Sequence, residues 1–273
     1  MIRVGPAGYP PGSKDLADAV RKTGEKGLQA LEVQFVRQVY LTEEAAKLAN
    51  AVAAKKDIQL SAHAPYYISL NSQNQETVAK SRDWILRSAR VAKAMGAWII
   101  VIHCAAYSGN SSEAVTKKVM AEIAHCREVL DMEKNNVILG LETMGKKGQW
   151  GTIEEIHQVM SEVEGVQPVI DFAHMHARTN GSIKGKGDFQ AIFDSYDRSP
   201  TKKMHCHFSG IEYTAAGEKN HLALDAKSPD YSFLADLLTD SDRDLSLICE
   251  TTDPTADAVL MRRMLDGTVN NVN

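Results

Sequence analysis

The chain has 273 residues, 44% of them hydrophobic, which is enough apolar material for one large core. Lysine and arginine number 31 against 35 acidic residues, a net charge of −4 with the histidines neutral. That balance excludes a polybasic surface built for nucleic acid or membranes in general, but it leaves room for a local basic rim beside bound cations. The opening segment, Met1-Ile2-Arg3-Val4-Gly5, reads as a strand rather than a secretory leader, and no apolar run is long enough to span a bilayer. Cys104, Cys126, Cys206 and Cys249 are widely spaced and form no CxxC pair, which fits reduced thiols and a cytoplasmic protein.

In chain order, short apolar runs alternate with longer amphipathic stretches. Strands are predicted at 2–5, 30–34, 58–62, 98–103, 137–142, 168–171, 204–208 and 245–250. Helices are predicted between and after them at 16–23, 43–55, 77–94, 113–134, 153–163, 189–195, 231–238 and 257–265. Thr42 before Glu43-Glu44 and Thr152 before Glu154-Glu155 supply N-cap signals. Such alternation implies a parallel sheet, and eight units is the number that closes into an α/β (β/α)8 TIM barrel. No Pro/Gly/Ser-rich linker divides the chain, so 1–273 is expected to be a single domain. The open doubly wound sheet is the rival architecture; Gly5-Pro6-Ala7-Gly8 lacks its GxGxxG phosphate loop.

The polar residues fall at the C-terminal ends of these strands. His63 follows the third, His103 closes the fourth and Glu142 the fifth. Asp171 ends the sixth with His174 three residues on, His205 and His207 lie on the seventh, and Glu250 ends the eighth. In a closed barrel those ends converge on the rim where barrel enzymes place their sites. A lone strand-end histidine is usually a satisfied rim residue. A carboxylate ending a buried strand must find a partner or protonate, and six such positions in series are best satisfied together by metal. Histidines and carboxylates without thiolates suit Zn²⁺, with Mn²⁺ or Fe²⁺ as alternatives, and the ligands exceed what one ion can use, so two or three ions are expected. His207 is taken as the ligand of its strand, with His205 deeper and structural. His125 and His157 read as surface or packing residues and His176 as an exposed loop residue.

The ordered set His63-Ala64-Pro65-Tyr66, His103, Leu141-Glu142-Thr143, Asp171-Phe172-Ala173-His174, His207-Phe208-Ser209-Gly210 and Leu247-Ile248-Cys249-Glu250-Thr251 resembles the endonuclease IV family, in particular its shorter archaeal-type branch. Those enzymes are metal-dependent apurinic/apyrimidinic endonucleases of base-excision repair. The resemblance implies that His63 and His103 hold one ion, that Glu142 bridges it to a second completed by Asp171, His207 and Glu250, and that His174 and His221 hold a third. Glu142 and Glu250 would be the catalytic carboxylates. The family's third ion also takes an aspartate two residues before the last histidine. Lys219 stands there in this chain, so either Glu218 substitutes or the third ion is weakly held, absent or held otherwise. The implied partner is double-stranded DNA with an abasic site, cut on its 5′ side by a monomer. Arg37 and Tyr66 are the first DNA-contact candidates, followed by Tyr40, the Lys146-Lys147 loop with Trp150, and Lys184 and Lys186. Two other readings stay open: a sugar isomerase or epimerase of the xylose-isomerase-like superfamily using one divalent metal, and a lesion binder without turnover.

Overall fold

The computed structural model describes residues 1–197 and 202–269; 198–201 and 270–273, which belong to the expected 1–273 span, lie outside the described residues. Eight parallel strands form the central sheet. They are β1 (Ile2–Pro6), β2 (Ala30–Gln34), β3 (Gln59–His63), β4 (Ile99–Ile102), β5 (Ile138–Glu142), β6 (Val166–Asp171), β7 (Lys203–Phe208) and β8 (Asp244–Cys249). All eight coincide with the strands expected from the apolar runs, and each pairs with its chain neighbours. β1 pairs with β8 on one side. On the other it meets β2 through Gln29 N–H to Val4 carbonyl and Gly8 N–H to Glu32 carbonyl, both 2.9 Å, and through a parallel bridge between Ala7 and Glu32. The ring closes as a TIM barrel.

Gly5 makes that seam possible. A Cβ on it would lie 1.8 Å from the carbonyl oxygen of Ala30, so any other residue would force β1 and β2 apart. Gly140 does similar work inside the barrel, where a Cβ would lie 2.6 Å from Val169 and 2.8 Å from Ile99.

The helices pack outside. They are α1 (Leu16–Glu25), α2 (Glu43–Lys56), α3 (Gln75–Ala94), α4 (Ser112–Met132), α5 (Ile153–Met160), α6 (Phe172–Arg178), α7 (Lys186–Tyr196), α8 (Tyr231–Thr239) and α9 (Pro254–Leu265). Their inner faces meet the outward side chains of the strands in two large apolar clusters, one centred on Leu31, Leu60, Ile100 and Leu139 and the other on Ile170, Cys206, Leu247 and Phe189. The four cysteines are free and buried. No helix among the described residues is long and apolar enough to cross a membrane.

Besides a 3-10 turn at Leu224–Ala226, three features among the described residues were not expected. α6 starts directly after β6, because Asp171 caps it by accepting from His174 N–H at 2.7 Å. A hairpin, Gly210–Thr214 with Gly217–Leu222, rises from the end of β7. A short antiparallel ladder, Ala105–Ala106 with Gln149–Trp150, ties the loops after β4 and β5 together.

Candidate metal centre

At the C-terminal rim the strand ends enclose a cavity of about 550 Å³, lined by His63, His103, His174, His221, Glu250 and Tyr66 among others. Glu142 lies at its floor with a fully buried carboxylate. Its Oε2 is 3.2 Å from His63 Nε2 and 2.6 Å from His103 Nε2, and its Oε1 is 3.1 Å from His207 Nδ1 and 3.3 Å from His174 Nδ1. β5 thus aims one carboxylate at histidines from β3, from the residue that follows β4, from β7 and from α6. Burial pushes the Glu142 carboxyl up, but the surrounding imidazoles, His103 and His207 foremost, outweigh it and hold the group well below its ordinary range.

Among the described residues four sets of ligand atoms converge, each within 4.8 Å. Three lie at the rim: His63, His103 and Glu142; Glu142, Asp171, His207 and Glu250; and His174, Glu218 and His221. The fourth, Glu32, His205 and His207, lies deeper. The three rim sets are the eight expected ligands plus Glu218. Side chains gathered this closely could hold metal ions. A test of fit comes from Asp171. Its buried Oδ2 accepts no hydrogen bond from the described residues, since His174 Nδ1, 3.4 Å away, is directed to the Thr143 carbonyl, and burial raises the pKa of the carboxyl despite the opposing pull of His174. A buried carboxylate oxygen left without a donor is costly, and a cation among Glu142, Asp171, His207 and Glu250 would satisfy it.

The histidines are also set for ligation. His63 Nδ1 lies 2.8 Å from the Ala64 carbonyl, His174 Nδ1 3.0 Å from the Thr143 carbonyl and His221 Nδ1 2.9 Å from the Glu250 carbonyl. Each Nδ1 faces a backbone carbonyl and so donates its N–H there, which leaves Nε2 as the nitrogen turned to the site. For His174, burial acts downward, yet Asp171, Glu142 and Glu218 raise its pKa to about 10 while no cation is bound.

Lys219 plays no part in this centre. The hairpin carries a β-bulge: Glu212 pairs with Asn220 and Tyr213 with Glu218, leaving Lys219 as the extra residue. The bulge interrupts the strand's alternation, so Glu218 and His221 share the inward face. Lys219 and Asn220 turn outward to Glu212, at 2.7 and 3.0 Å. Glu218 Oε2 is 3.6 Å from His174 Nε2. Of the alternatives open from the sequence, the geometry selects Glu218 as the carboxylate beside His174 and His221.

Other expectations need correction. His176, expected in an exposed loop, is buried on α6 with Nδ1 accepting from Ile183 N–H at 3.2 Å. Trp150 is buried and donates to Thr116 Oγ1 at 2.8 Å, so it packs the helix layer and does not face a ligand. Lys186 donates to the Asp236 carbonyl at 3.2 Å and lines a separate groove beside α8. Tyr66, by contrast, stands over the centre, its ring 4.7 Å from that of His63 and 5.3 Å from that of His103. Arg37 is exposed on the turn after β2, next to Val36, which lines the cavity.

Two residues of the centre escaped the sequence reading, Glu32 and Gln34, both inward-facing on β2. Gln34 donates to Glu32 Oε1 at 3.0 Å and to Glu250 Oε1 at 3.3 Å, and accepts from the Tyr66 hydroxyl at 2.9 Å. Burial opposes ionisation of Glu250, but the neighbouring His207 lowers its pKa to about 2. An acid in the middle of a strand, not at its end, was the one signal available for Glu32.

A barrel of parallel strands with this ring of histidines and carboxylates at its C-terminal mouth defines a class of TIM-barrel proteins whose rim could hold metal ions, and comparison with known proteins agrees on the barrel. The sequence pattern described as a xylose isomerase-like TIM barrel matches residues 17–266, and the chain belongs to that family. An uncharacterized protein of Methanocaldococcus jannaschii is 34% identical over 267 residues, 96% of each chain. A probable endonuclease 4 of Staphylococcus carnosus is 30% identical over 180 residues, covering 60% of this chain and 58% of that protein. Among solved structures, endonuclease IV from Thermus thermophilus superposes with a TM-score of 0.76 at 17% identity over 97% of this chain and 98% of the other. A D-tagatose 3-epimerase-like protein does so with 0.73, also at 17% identity, over 97% and 96%. The likeness to endonuclease IV expected from the motifs is borne out, and the fold is shared with epimerases.

Proposed function

We propose that this chain is a metal-dependent phosphodiester hydrolase acting on DNA, cutting on the 5′ side of abasic sites. The observation that carries the reading is the surplus of ligands: His63, His103, His174, Glu218 and His221 surround the four-residue set of Glu142, Asp171, His207 and Glu250. A single-metal isomerase needs only that set, and the additional groups would have no task in it. In a multinuclear centre His63, His103 and Glu142 would hold one ion, Glu142, Asp171, His207 and Glu250 a second, and His174, Glu218 and His221 a third. Zinc ions there would neutralise charge on the phosphate oxygens and activate water as the nucleophile.

The chain's own groups provide the rest. Glu250, kept ionised and hydrogen-bonded by Gln34, is fixed at the cavity wall to orient the attacking water. Tyr66 covers His63 and His103 with an aromatic face on which an extrahelical sugar or base can stack. Lys146 lines the same cavity, and with Arg37 at the mouth it offers phosphate contacts whose strength falls with salt. Glu142→Gln tests the reading on a duplex carrying one tetrahydrofuran abasic analogue: the zinc-loaded parent incises and the folded variant does not. Absence of incision by the zinc-loaded parent rejects the nuclease, and interconversion of a ketose by the same protein would select the isomerase.

A further inference from the structure

Among the histidines of the centre, His207 is held differently. His63, His174 and His221 rest their Nδ1–H on backbone carbonyls. His207 turns Nδ1 toward the centre, 3.1 Å from Glu142 Oε1 and 3.3 Å from Glu250 Oε2. Its Nε2 faces away, down the barrel, 3.2 Å from Glu32 Oε1 and 3.3 Å from Glu32 Oε2. The ring therefore spans two sets of carboxylates, with one nitrogen for each.

Glu32 reaches this place from the far side of the ring, since β2 and β7 are not neighbours. It is completely buried, and so are His205 and His207. Its carboxylate is tied down by further donors: His205 Nε2 at 2.7 Å and Ser61 Oγ at 2.9 Å on Oε2, and Gln34 Nε2 at 3.0 Å on Oε1. Burying a carboxylate costs several kcal/mol before compensation, so donors arranged from β2, β3 and β7 are what make it tolerable. The result is an acceptor that cannot swing away from His207. It is also too deep to meet a substrate, being absent from the cavity lining.

We infer that Glu32 is a positioning residue: it accepts the Nε2–H of His207, fixes the ring's tautomer and angle, and so makes Nδ1 the metal ligand. A carboxylate behind a ligating imidazole also raises its basicity and strengthens the metal bond. The inference rests on the reading of this centre as a metal site but not on the nature of the substrate. It assigns β2 a share in the centre, with the Glu32, His205 and His207 set serving as a hydrogen-bonded support and not as an ion site of its own.

Nuclear magnetic resonance of ¹⁵N-histidine-labelled, zinc-loaded parent protein tests this without any substitution. The expected result is a metal-shifted Nδ1 and a protonated, hydrogen-bonded Nε2 on His207; zinc on Nε2, or a ring with Nδ1 protonated, overturns the inference. Glu32→Gln adds a second measurement. It should weaken the tightest zinc site by about 10- to 100-fold in a chelator competition and shift the His207 Nε2–H resonance, whereas parental affinity with an unmoved resonance overturns the inference. If Glu32→Gln does not fold, the spectrum of the parent decides alone. Failure of the parent to bind zinc sinks this inference together with the metal-site reading. Zinc binding with the expected tautomer but no incision of abasic DNA sinks only the nuclease.

Discussion

Lys219 shows how a single extra residue redirects a site. On a regular strand, position 219 would share a face with His221; because 219 is the bulged residue, Glu218 takes that face instead. The carboxylate near His174 and His221 is therefore one residue from where a spacing rule would look for it. The two neighbours should behave oppositely. Glu218→Gln is expected to lower the zinc content per chain and to weaken that site by more than the roughly 10- to 100-fold typical of an outer-shell partner. Lys219→Ala, which only breaks an exposed ion pair with Glu212, should leave zinc content unchanged. Elemental analysis of both variants after equal dialysis provides the check, and equal loss in both would contradict the bulge argument.

The elements around the mouth are joined by Glu155, on the first turn of α5. Its carboxylate accepts from Gly151 N–H at 3.0 Å and Thr152 N–H at 2.9 Å, completing a capping box with Thr152. It also accepts from the hydroxyls of Tyr107, at 2.8 Å, and Ser112. One side chain thereby links the loop after β4, the start of α4, the loop after β5 and α5. Burial acts to raise its pKa, but the Ser112 hydroxyl and the backbone donors prevail and lower it. A carboxylate with a lowered folded pKa stabilises the protein above the unfolded value near 4.5, and the contribution is lost as pH falls through the folded value. Glu155→Ala should cost about 1–2 kcal/mol at neutral pH. The gap between parent and variant in urea melts should narrow below pH 4.5; a constant gap down to acid unfolding would show that the ionised carboxylate is not what holds these loops.

For the barrel as a body, the centre concentrates buried carboxylates and histidines at one end, where Asp171 Oδ2 has no hydrogen-bond donor among the described residues. Ligands that bind the folded state alone stabilise it by mass action, about 4 kcal/mol at a concentration a thousand times the dissociation constant. For a domain of this size that corresponds to a melting shift of roughly 8–16 °C. Chelation should lower the melting temperature by that order, and readdition of zinc should restore it. A melting temperature indifferent to chelation, in protein verified to have lost its metal, would mean that the centre's charges are balanced without ions.

Local pattern was sufficient for the framework. Most barrel strands are short, largely apolar runs buried on both faces, so their signal survives without knowledge of their neighbours. Strand-end acids and histidines were legible for the same reason, because polar groups interrupting apolar runs need partners. α6 was less visible: Phe172-Ala173-His174-Met175-His176-Ala177-Arg178 is short and rich in histidine, and it is started by Asp171, a residue already counted as a ligand. Whether His176 and Trp150 face inward depended on packing against Tyr213 and Thr116, which lie far away in the chain. The parity of Glu218 depended on a bulge that no residue type announces. The pairing of Glu32 with His207 depended on closure of the ring, which brings the insides of β2 and β7 within hydrogen-bond reach across the barrel. Apolar burial acts residue by residue and can be read along a line, whereas orientation at a shared centre is a property of the closed surface.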